Sequence, residues 1–142
     1  MPSAAAATVD RDKEDRLGLG EVRLAVPATP EYLRMTRMMA AGVASRVGFT
    51  FDEVDDLRIA IDEICYSLIG AAGRPGQLVV RYEMLDDGLV IEGEGHFLDG
   101  PSGPPALSAF SAQILSAVVD ECEVAEGADG PTFRLVKHRR VL

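Results

Sequence analysis

Glu63 and Ser67 lie four residues apart in the run Asp56-Leu57-Arg58-Ile59-Ala60-Ile61-Asp62-Glu63-Ile64-Cys65-Tyr66-Ser67-Leu68-Ile69. On a helix that spacing puts the carboxylate and the hydroxyl on one face, beside the apolar stripe rather than opposite it. A carboxylate held at the rim of a core can act as a general base towards water or a hydroxyl. The plainer reading of the spacing alone is a surface glutamate followed by a serine. Other chemical patterns are missing from the sequence. His96 and His138 are far apart and neither has a metal-ligand spacing around it. There is no GxSxG elbow, no phosphate-binding P-loop and no GxGxxG. Cys65 and Cys122, with no CxxC, read as small buried hydrophobes in a reducing compartment.

The bulk of the chain narrows the function. Its 142 residues suffice for one domain with a core, and an apolar content of 47% argues against disorder. The net charge of -9 argues against direct nucleic-acid binding and permits a basic protein partner. Asp52, Glu53, Asp55, Asp56, Asp62 and Glu63 cluster with only Arg58 among them, which makes either a solvated helix face or a partner surface. No stretch suits a membrane span, and the Ala-rich start lacks the form of a signal peptide, so the expected location is the cytoplasm.

The elements that would hold Glu63 follow from periodicity. Residues 1–20 have none and read as a flexible tail. Val22, Leu24 and Val26 alternate as a half-buried strand. Thr29-Pro30-Glu31 then opens a helix, with Thr29 as its cap. Leu33, Thr36, Ala40, Val43 and Val47 share one face of it; Met35, Met38 and Met39 widen the apolar surface and read as core rather than groove. Thr50-Phe51-Asp52-Glu53 is a capping-box signature for the next helix, whose stripe is Val54, Leu57, Ile61, Ile64, Cys65 and Leu68. Strands follow over Gln77–Met84 and Leu89–Glu94, joined at Asp87-Gly88. Gly95 to Pro105 reads as a loop. Leu107, Phe110, Ile114, Leu115 and Val118 recur at helical spacing, and two strands close the chain, around Cys122 and Val124 and around Phe133 and Leu135. The implied fold is α+β: a two-layer sandwich over residues 21–142, with helices on one face of a mixed, mostly antiparallel sheet.

The run from Asp56 to Ile69 resembles the helix motif of the bacterial anti-sigma factor and serine-protein kinase group within the Bergerat-fold (GHKL) ATPases, roughly D-L-x-L-A-V-D-E-A-C-x-N-A-I. Pro131-Thr132-Phe133-Arg134-Leu135-Val136-Lys137 resembles that group's last strand, G-T-x-x-R-L-x-K. The resemblance spans about residues 21–138 and implies ATP and magnesium as cofactors. It makes Glu63 the base that activates a hydroxyl or water. The magnesium-binding Asn falls at Ser67, whose reach is shorter. In Glu92-Gly93-Glu94-Gly95-His96-Phe97, the adenine-reading Asp of D-x-G-x-G falls at Gly93, and Gly95 holds a glycine place. The phosphate-contacting glycine box is replaced by Ala106-Leu107-Ser108-Ala109-Phe110. A lost buried hydrogen bond typically costs about 1–3 kcal/mol. With all three contacts altered, the resemblance implies weak or absent ATP use and a protein that acts by binding rather than as an enzyme. The activity implied is an anti-sigma factor, dimeric and of the stress-response kind. It sequesters an alternative sigma factor and is released by an anti-anti-sigma (STAS-type) antagonist. Arg37, with Arg34 as the register alternative, takes the place of the partner-contacting cation. The alternative is a working kinase that phosphorylates that antagonist.

Overall fold

The computed structural model describes residues 20–100 and 107–140. The tail expected over residues 1–20 therefore lies, apart from Gly20, outside the described residues. Strand β1 (Glu21–Pro27) leads through a 3-10 turn (Pro30–Tyr32) into α1 (Leu33–Val47) and α2 (Phe51–Ile69). Strands β2 (Gly76–Met84) and β3 (Gly88–Phe97) follow, then α3 (Ala109–Val118), β4 (Glu121–Glu126) and β5 (Pro131–His138).

The strands stand in the order β1-β2-β3-β5-β4. Every pairing is antiparallel, so the mixed sheet expected from sequence is not formed. The reason is topological. Two helices between β1 and β2 return the chain reversed. The single helix between β3 and β4 makes those two strands parallel, but β5 inserts between them.

Local sequence explains the boundaries. The Thr50 hydroxyl accepts from the Glu53 amide at 3.2 Å, and the Glu53 carboxylate accepts from the Thr50 amide at 2.8 Å, closing the capping box that starts α2. Gly48, with φ of 96°, ends α1 in the left-handed conformation that glycine adopts without strain. The start of α1 differs from expectation. Thr29 makes no side-chain cap; its hydroxyl donates to Glu31, and the 3-10 turn supplies the entry instead. Strand β3 runs on through Gly95, His96 and Phe97, which the sequence reading placed in a loop, because these residues pair with Leu78, Gln77 and Gly76 of β2.

The core lies between the helices and one sheet face. Leu33, Thr36, Ala40, Val43 and Val47 of α1 are buried as their spacing requires, as are Leu57, Ile61, Ile64, Cys65 and Leu68 of α2. They meet Leu78, Val80, Tyr82 and Met84 of β2, with Leu89 and Ile91 of β3. Each large side chain removed from water contributes about 1.5–3 kcal/mol. The buried Tyr82 hydroxyl donates to the Thr36 carbonyl at 2.9 Å, which satisfies both groups. Burial, aided by the Asp62 charge, pushes the Cys65 thiol up to about 12, so it stays protonated and inert.

Two apolar groups sit outside this core. Met35 and Met38 are 52% and 63% exposed, correcting their reading as core, while Met39 is partly buried. Phe110 is 72% exposed; the buried face of α3 is formed by Ser111 and Leu115.

Two buried charges tie the layers. Lys137 Nζ donates to the Val118 carbonyl at 2.7 Å, at the negative end of α3, and faces Asp56 of α2 at 3.6 Å. Glu53 also accepts from the Arg140 amide at 2.9 Å. Burial alone would raise the Glu53 carboxyl. The Thr50 and Arg140 amides, the Thr50 hydroxyl and Lys137 outweigh it and hold the group below its usual range. A depressed carboxyl stabilises the fold above the unfolded-chain value, about 4.3, and loses that contribution as pH falls through its lower folded value. The melting-temperature gap between wild type and Glu53→Gln should therefore be widest near neutrality and narrow below about pH 4. A gap independent of pH would show that the charge of Glu53 is not what it contributes.

Candidate functional site

Glu63 and Ser67 project from the rim of α2, where the helix faces α1 on one side and α3 on the other. Each is half-buried. They line an open pocket of about 320 Å³ together with Arg37, Asp62, Tyr66 and Ser111. The structure thus brings together three residues singled out from sequence: Glu63, Ser67 and Arg37. Arg37 bonds to Asp62 through Nη1 at 2.7 Å, which joins α1 to α2 across the pocket mouth. Arg34 lies exposed on α1, with no ion pair among the described residues.

Ser111 is the residue that sequence reasoning missed. Its hydroxyl donates to Glu63 Oε1, and its own amide and hydroxyl are bonded to Ser108, the cap of α3. The signal was a serine four residues before Leu115, on the stripe that α3 buries. Asp62 was noted only as one of an acidic cluster; its partner on α1 is visible only in the fold. The Ser67 hydroxyl donates to the Glu63 carbonyl at 2.8 Å, one turn back in its own helix. Ser111→Ala should leave the half-buried Glu63 without this donor and lower stability by about 1–2 kcal/mol, read from urea denaturation. An unchanged midpoint would mean that water replaces the hydroxyl at no loss.

Gly93 and Gly95 lie away from this pocket, on the helix-facing side of β3. The Phe133 ring stands over Gly93, so a Cβ at position 93 would collide with the ring at Cε2. The Phe97 ring covers Gly95 in the same way. The Arg74 guanidinium caps the Phe97 ring, 4.2 Å from its centroid, and bonds to Asp99 at 2.8 Å and to the Gly100 carbonyl at 2.8 Å. The bond from Arg74 holds the Asp99 carboxyl below its usual range. Both glycines are thus covered by aromatic rings.

The residues at these positions are engaged within the protein itself. No carboxylate can stand at position 93 while Phe133 keeps its place. Ser67 is engaged by its own helix, and Glu63 already holds the Ser111 hydroxyl. Among the described residues, metal-ligating side chains gather instead at Glu94, His96 and Asp129, partly or fully exposed and apart from Ser67.

Residues 26–137 match the family model of the histidine kinase-like ATPase domain: the chain belongs to that family, in its anti-sigma factor and serine-protein kinase group. It is 36% identical over 136 residues to the serine-protein kinase RsbW of Bacillus subtilis, covering 82% of this chain and 84% of that one. The RsbW of Bacillus velezensis is 34% identical over the same length and shares. The crystal structure of the RsbU and RsbW domains of Rv1364c from Mycobacterium tuberculosis superposes with a TM-score of 0.61 at 17% identity, over 87% of this chain and 34% of that one. That likeness bears on the fold. No helix among the described residues is long and apolar enough to cross a membrane.

Proposed function

We propose that this protein is an anti-sigma factor that holds an alternative sigma factor by surface contact, without nucleotide, and releases it to an anti-anti-sigma antagonist. The observation that supports the reading is the Phe133 ring over Gly93, the position to which the family resemblance assigns an adenine-reading carboxylate. A regulator with that space filled would hold its partner through its own surface. The surface to do so is α1, where exposed Met35 and Met38 lie beside Arg34 and Arg37. Methionine adapts its shape to a partner, and arginine carries much of the energy at many interfaces. The acidic α2 beside it suits a basic sigma surface. We place the protein in the cytoplasm as a homodimer, with its partners proteins rather than nucleic acid.

Capture of the tagged protein from its native cells under nucleotide depletion tests this. A sigma factor recovered in near-stoichiometric amount supports the reading. A sigma complex that forms only when magnesium-ATP is supplied overturns it.

One observation favours a second reading, a serine kinase acting on the antagonist. Glu63 accepts a bond from a serine hydroxyl, as a base would from a substrate. Such an enzyme must be stabilised by magnesium-ATP through mass action, by about 2.7 kcal/mol at a hundredfold excess over its dissociation constant. No thermal shift at millimolar nucleotide would sink it.

A further inference from the structure

We propose that the free edge of β4 accepts an extended segment of a partner protein in which basic and apolar side chains alternate. Strand β4 ends the sheet and pairs only with β5 among the described residues. In an antiparallel pair, alternate residues turn their N–H and C=O groups away from the partner strand, so the outer edge of β4 is a template for another strand.

The two sides of that edge differ in chemistry. Cys122 and Val124 stand opposite Leu135 and Phe133 and face the helix layer. Beside them a groove of about 210 Å³ opens between α3 and β4, walled mainly by Leu107, Leu115, Val119 and Cys122, with Asp120 and Glu121 also in its lining. Glu121 and Glu123 stand on the other side, opposite Val136 and Arg134. Glu121 has only Arg134, at 3.7 Å, and no cation pairs with Glu123 or Glu126 among the described residues.

A strand added here presents side chains with a period of two. One set enters the groove, where apolar groups displace water. The other set stands beside Glu121 and Glu123, where cations are favoured. Main-chain bonds to the edge supply the rest, as in other β-augmentation complexes. Natural edges are often guarded by proline or by charges that point inward. β4 has no proline, and its inward positions hold Cys122 and Val124. A second copy is the wrong occupant, because edge-to-edge pairing would set the glutamates of one β4 against those of the other. This surface is separate from the pocket between α1 and α2, so the inference does not rest on a sigma factor being bound there.

The test uses the full chain and a fluorescein-labelled peptide of alternating lysine and valine, followed by anisotropy. Saturable binding is expected. The double variant Glu121→Lys/Glu123→Lys should weaken it at least about tenfold, with an unchanged melting temperature. N-methylation of alternate peptide amides should weaken it by a similar factor, because it removes edge bonds and leaves the charge. Amide shifts in the protein should concentrate at Cys122–Ala125 and along α3. The proposal is overturned if the methylated peptide binds as well, if charge reversal has no effect, or if the shifts map elsewhere. Self-association of the free protein that Glu123→Lys changes would assign the edge to a second copy instead.

Discussion

Gly93→Asp is expected to remove about 3 kcal/mol of folding stability, seen as a lower urea midpoint, because the new side chain meets the Phe133 ring. The substitution both overpacks a buried site and places a carboxylate beside apolar groups. Phe133→Ala alone should cost about 3–5 kcal/mol, the usual range for losing a buried aromatic side chain. The informative variant is the pair. If the ring and the position 93 side chain compete for one space, the double variant is more stable than the sum of the singles predicts, by about 1 kcal/mol or more. Strict additivity would show that the ring does not occupy the place a carboxylate needs.

On the proposed anti-sigma reading, Arg37→Glu should weaken the complex with the sigma factor by about 2 kcal/mol, roughly thirtyfold in Kd. Its effect on the fold should be small. The pair it forms with Asp62 is part-exposed, with side chains 36% and 45% accessible, and such pairs contribute about 0–1 kcal/mol. The exchanged variant Arg37→Asp/Asp62→Arg separates the two roles. It can rebuild the link between α1 and α2 but moves the cation to the other helix. Lost binding with an unchanged melting temperature would assign Arg37 to the partner. Binding restored by the exchange would make Arg37 a brace for the helix pair.

Most of the scaffold was legible in the residue pattern because its signals are local. Leu78, Val80, Tyr82 and Met84 alternate cleanly, and all four are buried. The Thr50–Glu53 box is formed as its residue types require. Signals failed where neighbours decide. Gly95 to Phe97 has no apolar alternation, and only pairing with Gly76 to Leu78 makes it strand. Helical spacing placed Phe110 on the apolar stripe of α3, yet its ring points out, because spacing sets a direction and not the depth of the layer beneath. Met35 and Met38 failed for the same reason. In the site, Glu63, Ser67 and Arg37 could be named because motif and position are sequence properties. The Ser111 bond to Glu63 and the Asp62 bond to Arg37 span 48 and 25 residues, separations at which no periodicity operates.

The aromatic pair over Gly93 and Gly95 has a consequence for how such a regulator is supplied to the cell. A void left by an absent base would destabilise the fold by about 24 cal/mol for each Å³ unfilled. A chain completed by a bound cofactor has a melting temperature that follows the cofactor's concentration. Phe133 and Phe97 instead cover Gly93 and Gly95 with covalently attached atoms, always at full occupancy. On the proposed nucleotide-free reading, the amount of folded protein would be set by its synthesis and degradation alone, and starvation that drains the adenylate pool would leave it unchanged.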